Sequence, residues 1–344
     1  MSDLAIEFWR GQRVESRVHA DAAVVDSLGH IRYWFGDPGR SAFWRSSAKP
    51  FQAMPVIQSG GADRYHFGPR DVAMICASHG GEPMHVELVQ DLLTRIGAAA
   101  GDLICGVHPP WHRPSADLLM KNSRKPEVVH NNCSGKHTGM LTLARALGAP
   151  LLGYEMPQHP VQEAILKNVA YMTGLREDSL YTGTDGCGVP TFYLSVERMA
   201  YSFARLVDPR GLDTAHAGSS MIVAEAMRMH PELVSGTGRL EVTLAQATDN
   251  RFVAKGGAEA VFCLGIPDRG LGLAIKIDDG VARAMPTLVV SILKQMDALS
   301  PQEQMKLEPL IHPEILNHAG THVGEIRSVL ELKSGKLATP SLGY

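Results

Sequence analysis

Features that would place the protein in a membrane or on nucleic acid are missing from its 344-residue sequence. There is no apolar run of about 18 residues, the length that a membrane-spanning helix requires. The opening stretch, MSDLAIEFWRGQRVES, lacks a basic segment followed by an apolar one, so it does not match a secretory signal. The formal net charge is only −3, which gives no general attraction to nucleic acid. We therefore expect a cytoplasmic protein that binds neither membranes nor nucleic acids.

Cysteine is scarce and odd in number: the five residues are Cys76, Cys105, Cys133, Cys187 and Cys263. An odd count without a secretory signal argues against a set of structural disulfides. We expect reduced thiols, some acting as small buried apolar groups and others available to bind a metal.

The order of the predicted elements places strands at the two ends of the chain and helices between them. Residues 14–37 alternate in polarity around Gly29, which predicts a hairpin. Strands are predicted again from about residue 258, and helices at 159–174, 190–207, 213–229 and 285–298. This order favours an α+β fold in two layers, with both chain ends forming one antiparallel sheet. We expect one unit over residues 1–344, mainly helical from about 40 to 255.

The stretch RSSAKP contains the first candidates for catalysis, because Ser46 and Lys49 stand three residues apart. Side chains at that spacing are neighbours on a helix, where a neutral lysine amine can take the proton of a serine. Serine β-lactamases and penicillin-binding proteins use this S-x-x-K pattern. Their K-[ST]-G element has a loose counterpart in Lys255-Gly256-Gly257, just before a predicted strand. Taken alone, RSSAKP also fits a helix-capping serine beside a solvated lysine.

The stretch CASHGGEP adds Ser78, which follows an apolar run and precedes a glycine pair. Glycines allow the backbone to approach a ligand closely. Ser78 is therefore a candidate for a second nucleophile or a proton relay. A plain turn with a capping serine is the alternative.

The stretches NNCSGKHTGM and DGCGVP contribute potential metal ligands. Cys133 and His137 are four residues apart at a predicted helix start, Lys136 lies beside them, and Cys187 stands between two glycines. Two thiolates and a nitrogen donor make a zinc site with one open position. The residue types alone favour His137 as the third ligand, and the spacing matches no zinc finger. Two unrelated buried thiols are the alternative.

Taken together, five stretches resemble the rhizobial-type (class 3) L-asparaginases of the asparaginase II family. They are RSSAKPFQ, CASHGGEP, NNCSGKHTGM, TDGCGVP and AKGGAEAVF, in this order and spread over nearly the whole chain. The resemblance implies a fold similar to that of serine β-lactamases and penicillin-binding proteins. It also implies hydrolysis of L-asparagine to L-aspartate and ammonia by a homodimer.

The resemblance assigns roles to four residues of the Ser–Lys motifs. The serine and lysine of the family's S-x-x-K fall on Ser46 and Lys49, its second serine on Ser78, and its distant lysine on Lys255. They would form two Ser–Lys pairs facing the substrate amide, with Ser46 as the nucleophile.

The resemblance also assigns the metal ligands. They fall on Cys133, Lys136 and Cys187, with a water completing a tetrahedral zinc site. A lysine binds zinc only after it has lost its proton, which the charge of the dication can enforce. His137 then becomes a neighbour of the site that contacts the substrate, and zinc helps to hold the substrate.

Arg45 and Asp185 are candidates for binding the carboxylate and ammonium groups of the substrate. Selectivity between asparagine and glutamine cannot be read from the sequence, because it depends on one methylene worth about 1–3 kcal/mol.

Three other functions are compatible with parts of this pattern. A serine β-lactamase or D,D-peptidase would use Ser46 and Lys49, but has no role for Cys133 and Cys187. In a zinc amidohydrolase a zinc-bound water would attack the substrate directly. A non-catalytic amino-acid sensor on the same fold would be expected to lose Ser46 or Lys49, and both are present.

Overall fold

Strands come from both ends of the chain and helices from its middle, in a computed structural model that describes residues 2–337. The strands are β1 Asp3–Arg10, β2 Arg13–Asp26, β3 Ile31–Phe35, β4 Ser41–Phe43, β5 Tyr181–Thr184, β6 Pro190–Ser195, β7 Val253–Gly257, β8 Val261–Ile266, β9 Leu271–Ile277, β10 Glu314–Leu316, β11 His322–Ser328 and β12 Lys333–Leu337. The α-helices are α1 Lys49–Gln58, α2 Gly61–Arg64, α3 Pro69–Ile75, α4 Pro83–Arg95, α5 Arg113–Lys121, α6 Ser134–Ala146, α7 Pro160–Thr173, α8 Val196–Val207, α9 Thr214–Met229, α10 Pro231–Val234, α11 Leu240–Ala247, α12 Met285–Gln295 and α13 Pro301–Ile311. Met1 and residues 338–344 of the predicted single unit lie outside the described residues.

Nine of these strands form one antiparallel sheet, which confirms the predicted α+β fold with a sheet built from both chain ends. Its order is β10-β11-β1-β2-β9-β8-β7, and β3 and β12 join it through β2. The long strand β2 pairs with β1 along its first half and with β3 and β9 along its second half. The predicted hairpin between β2 and β3 turns at Gly29, whose φ of 88° suits glycine.

Helices cover both faces of this sheet, which corrects the two layers expected from the sequence to three. Alternate residues of β2 point to opposite sides. Ala23 and Val25 pack with the helical middle of the chain, where α8 lies against β2, β8 and β9. Ala22 and Val24 pack on the other side with α12, including Leu288. Within residues 2–337, no helix combines the length and the apolar character needed to cross a bilayer.

The predicted helix over 190–207 is wrong in its first part, because residues 190–195 form strand β6. In PTFYLS, Phe192 and Leu194 are buried while Tyr193 is exposed, which is the alternation of a strand. Helix α8 begins only at Val196. Strand β6 pairs with β4 and β5 in a second, three-stranded sheet that the sequence analysis did not anticipate. The other three predicted helices correspond to α7, α9 and α12.

Candidate active site

The three-stranded sheet brings two distant chain segments together. Strands β4 and β5 lie on either side of β6 and are both antiparallel to it, so their ends point the same way. Arg45 follows β4 and Asp185 follows β5. Arg45 Nε donates a 2.7 Å hydrogen bond to Asp185 Oδ1. The two residues predicted to bind the charged groups of a substrate therefore meet.

Ser46 follows a residue with a strained backbone. Arg45 has a φ of 51°, in the left-handed region that costs a non-glycine residue about 1–3 kcal/mol and that recurs at functional sites. The 3₁₀ turn Arg45–Ala48 then places Ser46 on the wall of a cavity, where it is half-buried. Its hydroxyl makes no hydrogen bond to the described part of the chain. That hydroxyl is thus available to a bound molecule.

Two buried lysines share the hydroxyl of Ser78. Lys49, at the start of α1, and Lys255, in β7, are both 0% exposed. Ser78 Oγ lies 2.8 Å from Lys49 Nζ and 2.9 Å from Lys255 Nζ. Lys49 also donates to Ala77 O at 2.6 Å. The predicted catalytic serine and lysines are therefore brought to one place, but Lys49 bonds Ser78 rather than Ser46.

A glycine allows strand β7 to approach the turn that contains Ser46. A Cβ atom on Gly257 would lie 3.0 Å from Ser47 Oγ and 3.1 Å from Trp44 O. Ser47 Oγ donates a 2.9 Å hydrogen bond to Lys255 O, which fixes the turn to the strand. The loose match to a K-[ST]-G element thus lies beside the S-x-x-K turn in space.

The charge of Lys255 is destabilised by its surroundings. Burial, followed by the positive charge of Lys49, lowers the pKa of Lys255 to about 7, although the carboxylate of Glu241 acts in the opposite direction. A substantial fraction of Lys255 is therefore a neutral amine at neutral pH. A neutral amine can accept a proton, which the ordinary lysine ammonium cannot.

The three predicted metal ligands form a buried cluster at the start of α6. Lys136 Nζ lies 2.8 Å from Cys187 Sγ, and the Cys133 and Cys187 thiols are hydrogen-bonded to each other. The hydrogen bond from Cys187, and then the positive charges of Lys49 and Lys136, lower the pKa of Cys133. The hydrogen bond with Cys133, then burial, raises the pKa of Cys187, so Cys133 is the thiol of the pair that ionises first.

This donor set fits zinc. Thiolate sulfur and neutral nitrogen are the ligands that zinc prefers, and Cys133 is the thiol that deprotonates most readily. Although burial acts in the opposite direction, the charges of Cys187 and Cys133 raise the pKa of Lys136, so its amine must lose a proton when zinc binds. Among residues 2–337, no three His, Cys, Asp or Glu side chains are grouped to hold a metal. A zinc ion at this position would therefore depend on Lys136 as its third protein ligand.

His137 lies behind the site rather than on its wall. Its imidazole is 0% exposed and is not among the side chains that line the cavity. Nδ1 lies 2.7 Å from the Tyr154 hydroxyl, while Nε2 has no partner in the described part of the chain. The geometry gives no support to a direct substrate contact by His137, which stays a prediction.

The two glycines of SGKHTG explain how helix α6 approaches helix α3 so closely. A Cβ atom on Gly135 would lie 2.3 Å from Met74 O, and one on Gly139 would lie 2.9 Å from Ile75 Cβ. Real Cβ atoms do not approach neighbours this closely, so only glycine fits at either position. The close packing places Cys133 and Lys136 beside the segment that carries Ser78.

We expect Gly135→Ala to destabilise the protein by roughly 1–3 kcal/mol or more, because the new methyl group must displace the backbone of Met74. Gly218→Ala is the matched control, since Gly218 is also helical and has no atom within 4 Å of its Cβ position. That control should be neutral or stabilising by about 1 kcal/mol. Denaturant unfolding of both variants checks this difference, and equal stabilities would contradict the packing argument.

The clustered side chains open into a cavity of about 490 Å³, within the ~300–1,000 Å³ range of small-molecule sites. Its wall includes Ser46, Ser78, Lys255, Arg45, Asp185, Cys133 and Cys187. The cavity therefore brings together nucleophile candidates, a proton acceptor and charged groups of both signs.

The family profile described as L-asparaginase II matches residues 6–328, nearly the whole chain. The chain belongs to the L-asparaginase II family. The resemblance drawn from the five motifs is thereby confirmed. A comparison with curated protein sequences finds no significant match.

Several solved structures overlap partly with this member of the L-asparaginase II family. A β-lactamase from Mycobacterium bovis is 16% identical, with 80% of this chain and 94% of that one covered at a TM-score of 0.40. A class C β-lactamase from Rhodobacter sphaeroides is 13% identical, with 80% of this chain and 94% of that one covered and a TM-score of 0.41. An octameric penicillin-binding protein homologue from Pyrococcus abyssi is 11% identical, with 88% of this chain and 80% of that one covered and a TM-score of 0.42. No functional assignment follows from these overlaps.

Two side chains that were not predicted as site residues line the cavity from the segment before β7. Arg239 and Glu241 are on its wall, and Arg239 packs over the ring of Trp111 at 5.8 Å. A signal for Glu241 was present, since it is the single charged residue of the helix LEVTLAQA. A buried lone carboxylate in an otherwise uncharged helix calls for a specific partner.

Proposed function

We propose that the chain hydrolyses L-asparagine to L-aspartate and ammonia through a serine nucleophile. The observation that carries this proposal is that Ser46, Ser78 and the buried Lys255 line one cavity, with the buried Lys49 bonded to Ser78, in a member of the L-asparaginase II family. An amide needs a nucleophile and a proton donor for its leaving nitrogen, and this cluster contains both kinds of group.

The substrate is bound through its charged groups. A free amino acid presents a carboxylate and an ammonium on the same carbon, and the guanidinium of Arg45, held by Asp185, offers a positive charge beside Ser46 for the carboxylate. Arg45 pairs with the carboxylate in the bidentate geometry that guanidinium favours. The side-chain amide then lies against Ser46.

Ser46 Oγ attacks the amide carbon, and its proton passes to the lysine and serine network. Lys49 first transfers a proton through the Ser78 hydroxyl to the neutral amine of Lys255, which leaves Lys49 as the neutral amine that accepts the proton of Ser46. The developing oxyanion is stabilised by the positive charge left on this network. As the C–N bond breaks, the proton returns to the leaving nitrogen and ammonia departs. Water then hydrolyses the β-aspartyl ester on Ser46.

Zinc is proposed as the resident metal, bound by Cys133, Lys136 and Cys187. When bound, it supplies a Lewis-acidic contact that holds and orients the substrate. The serine nucleophile makes a metal hydroxide unnecessary for the attack.

The test is ammonia release by the purified, zinc-supplemented protein from L-asparagine and, in parallel, from L-glutamine. We expect release from L-asparagine that is proportional to protein concentration. A protein that releases ammonia from neither amide would contradict the proposal, and β-lactams and peptides would be the next substrates to assay.

A homodimer in the cytoplasm also stays a prediction. Light scattering measures the mass of the protein in solution and so tests the dimer.

Zinc removal provides a separate prediction. We expect a chelator to raise the KM for L-asparagine about tenfold or more while kcat changes by less than about threefold, because a substrate-holding contact contributes to binding. The measurement is a full saturation curve before and after chelation, with zinc content determined by metal analysis. Loss of kcat at saturating substrate would favour attack by a zinc-bound water instead.

A further inference from the structure

Glu241 is a buried carboxylate on the cavity wall that the serine–lysine chemistry does not use. It is the second residue of α11 and is only 5% exposed. Its Oε1 atom accepts a 2.9 Å hydrogen bond from Gly256 N. Its Oε2 atom has no hydrogen-bond partner among residues 2–337. This oxygen is not among the fully buried unpaired polar atoms of the described residues, so it is accessible from the cavity and can accept a hydrogen bond from a cationic ligand.

The other carboxylate of the wall is already engaged. Asp185 Oδ1 accepts hydrogen bonds from Arg45 Nε at 2.7 Å and from Gly186 N at 2.9 Å. Its Oδ2 lies 3.8 Å from Cys187 Sγ. Among the described residues that line the cavity, Glu241 is therefore the carboxylate with an oxygen that has no hydrogen-bond partner at all.

Strand β7 connects Glu241 to the nucleophile turn. Gly256 contacts Glu241, and a Cβ atom on the next residue, Gly257, would lie 3.0 Å from Ser47 Oγ. Of two adjacent residues in β7, Gly256 thus contacts Glu241 and Gly257 lies against Ser47, which follows Ser46 in the chain. A small amino acid whose amide lies at Ser46 has its own charged groups only a few bonds away.

We propose that Glu241 binds the α-ammonium group of the substrate and so restricts the enzyme to α-amino acid amides. This rests on the proposed asparaginase function and goes beyond it, because it makes Glu241 the specificity-determining residue. Arg45, held by Asp185, then takes the α-carboxylate. Asp185 acts as the positioning residue for Arg45 rather than as the ammonium site.

The test compares L-asparagine with succinamic acid, which is asparagine without its α-amino group, in wild-type protein and in Glu241→Gln. Glutamine keeps an oxygen acceptor for Gly256 N but loses the negative charge. We expect Glu241→Gln to raise the KM for L-asparagine about 10- to 100-fold, the scale of a hydrogen bond between charged partners. At a pH above the titration of Lys255, the kinetic constants for succinamic acid should change by less than about threefold.

Three variants provide comparison. Asp185→Asn should raise the KM for both substrates equally, since both substrates need Arg45 to bind their carboxylate. Glu225→Gln, on the exposed face of α9 and without a partner among the described residues, should change neither. Glu241→Asp keeps the charge on a shorter side chain, and it should retain more of the preference for L-asparagine than Glu241→Gln. If Glu241→Gln does not fold, the ratio of the two substrates in Glu241→Asp replaces it, and an unchanged ratio there contradicts the proposal.

The outcomes separate the two proposals. Equal losses on both substrates in Glu241→Gln, or a loss of kcat alone, would mean that Glu241 only supports β7. A selective loss in Asp185→Asn would make Asp185 the ammonium site. A wild-type protein inactive on L-asparagine would overturn the proposed function itself, and the inference about Glu241 with it.

Discussion

Ser46→Ala is expected to lower kcat for L-asparagine by at least about 10³-fold, the scale on which nucleophile removal acts in serine hydrolases. The hydroxyl of Ser46 is open to the cavity and makes no hydrogen bond to the described chain. The turn that begins at the left-handed Arg45 lies on the wall of that cavity. Steady-state ammonia release and substrate binding by calorimetry check the result, because binding should persist when chemistry is lost.

Ser78→Ala is the necessary comparison, since Ser78 Oγ contacts both lysines and is the competing nucleophile. As a relay, Ser78 should contribute about 10²-fold, the lower range of proton-transfer effects. Acid quenching during turnover and peptide mapping should find a β-aspartyl ester on Ser46. An ester on Ser78, or an active Ser46→Ala protein beside an inactive Ser78→Ala one, would make Ser78 the nucleophile.

The pairing of Lys49 with Ser78 shows what the spacing of a motif leaves open. S-x-x-K spacing makes Ser46 and Lys49 neighbours along the turn, because it is a rule about the backbone. The lysine amine lies four methylenes away from that backbone, and it bonds the oxygens that tertiary packing brings within reach. Those oxygens belong to Ala77 and Ser78, about thirty residues further along the chain.

The architecture could be predicted where a helix or strand is long enough for its own apolar pattern to identify it. Apolar periodicity located α7, α9 and α12, and the position of strands at both ends predicted their union in one sheet. Strand β6 was missed because its six residues run directly into α8, so the apolar residues of both elements fitted one helix. Periodicity also cannot say which face of a sheet α12 covers, and therefore the third layer was not predicted.

The residues of the site also fall into a part that local sequence patterns predict and a part that they do not. The catalytic and metal-binding candidates lie in dense motifs of small, reactive residues, so the sequence analysis found them. Arg239 and Glu241 lie in no such motif and reach the cavity only because α11 packs beside β7. Their roles depend on contacts between segments that are remote in sequence, such as Glu241 with Gly256.

The pH dependence of asparagine hydrolysis is expected to follow Lys255. Its folded pKa of about 7 lies well below the ordinary lysine value, so the amine is protonated below neutrality and free above it. Activity should therefore rise as pH increases through about 7 and level off above. Lys255→Met should abolish this rise and lower kcat by about 10²–10⁴-fold, the contribution of a general base. Initial rates at saturating substrate between pH 5 and 9 measure both effects.

The charged groups around Lys255 predict in which direction its pKa moves when one of them is replaced. Lys49 and Arg239 lower its pKa, while Glu241 and Cys133 raise it. Glu241→Gln should thus move the rise in activity to lower pH, because it removes a charge that favours the ammonium. Lys276→Met is the matched control, since burial also lowers the pKa of Lys276, but its amine bonds Glu259 O and Ile277 O away from the cavity. A rise that persists in Lys255→Met, or shifts in Lys276→Met, would assign the titration to another group and remove Lys255 as the base.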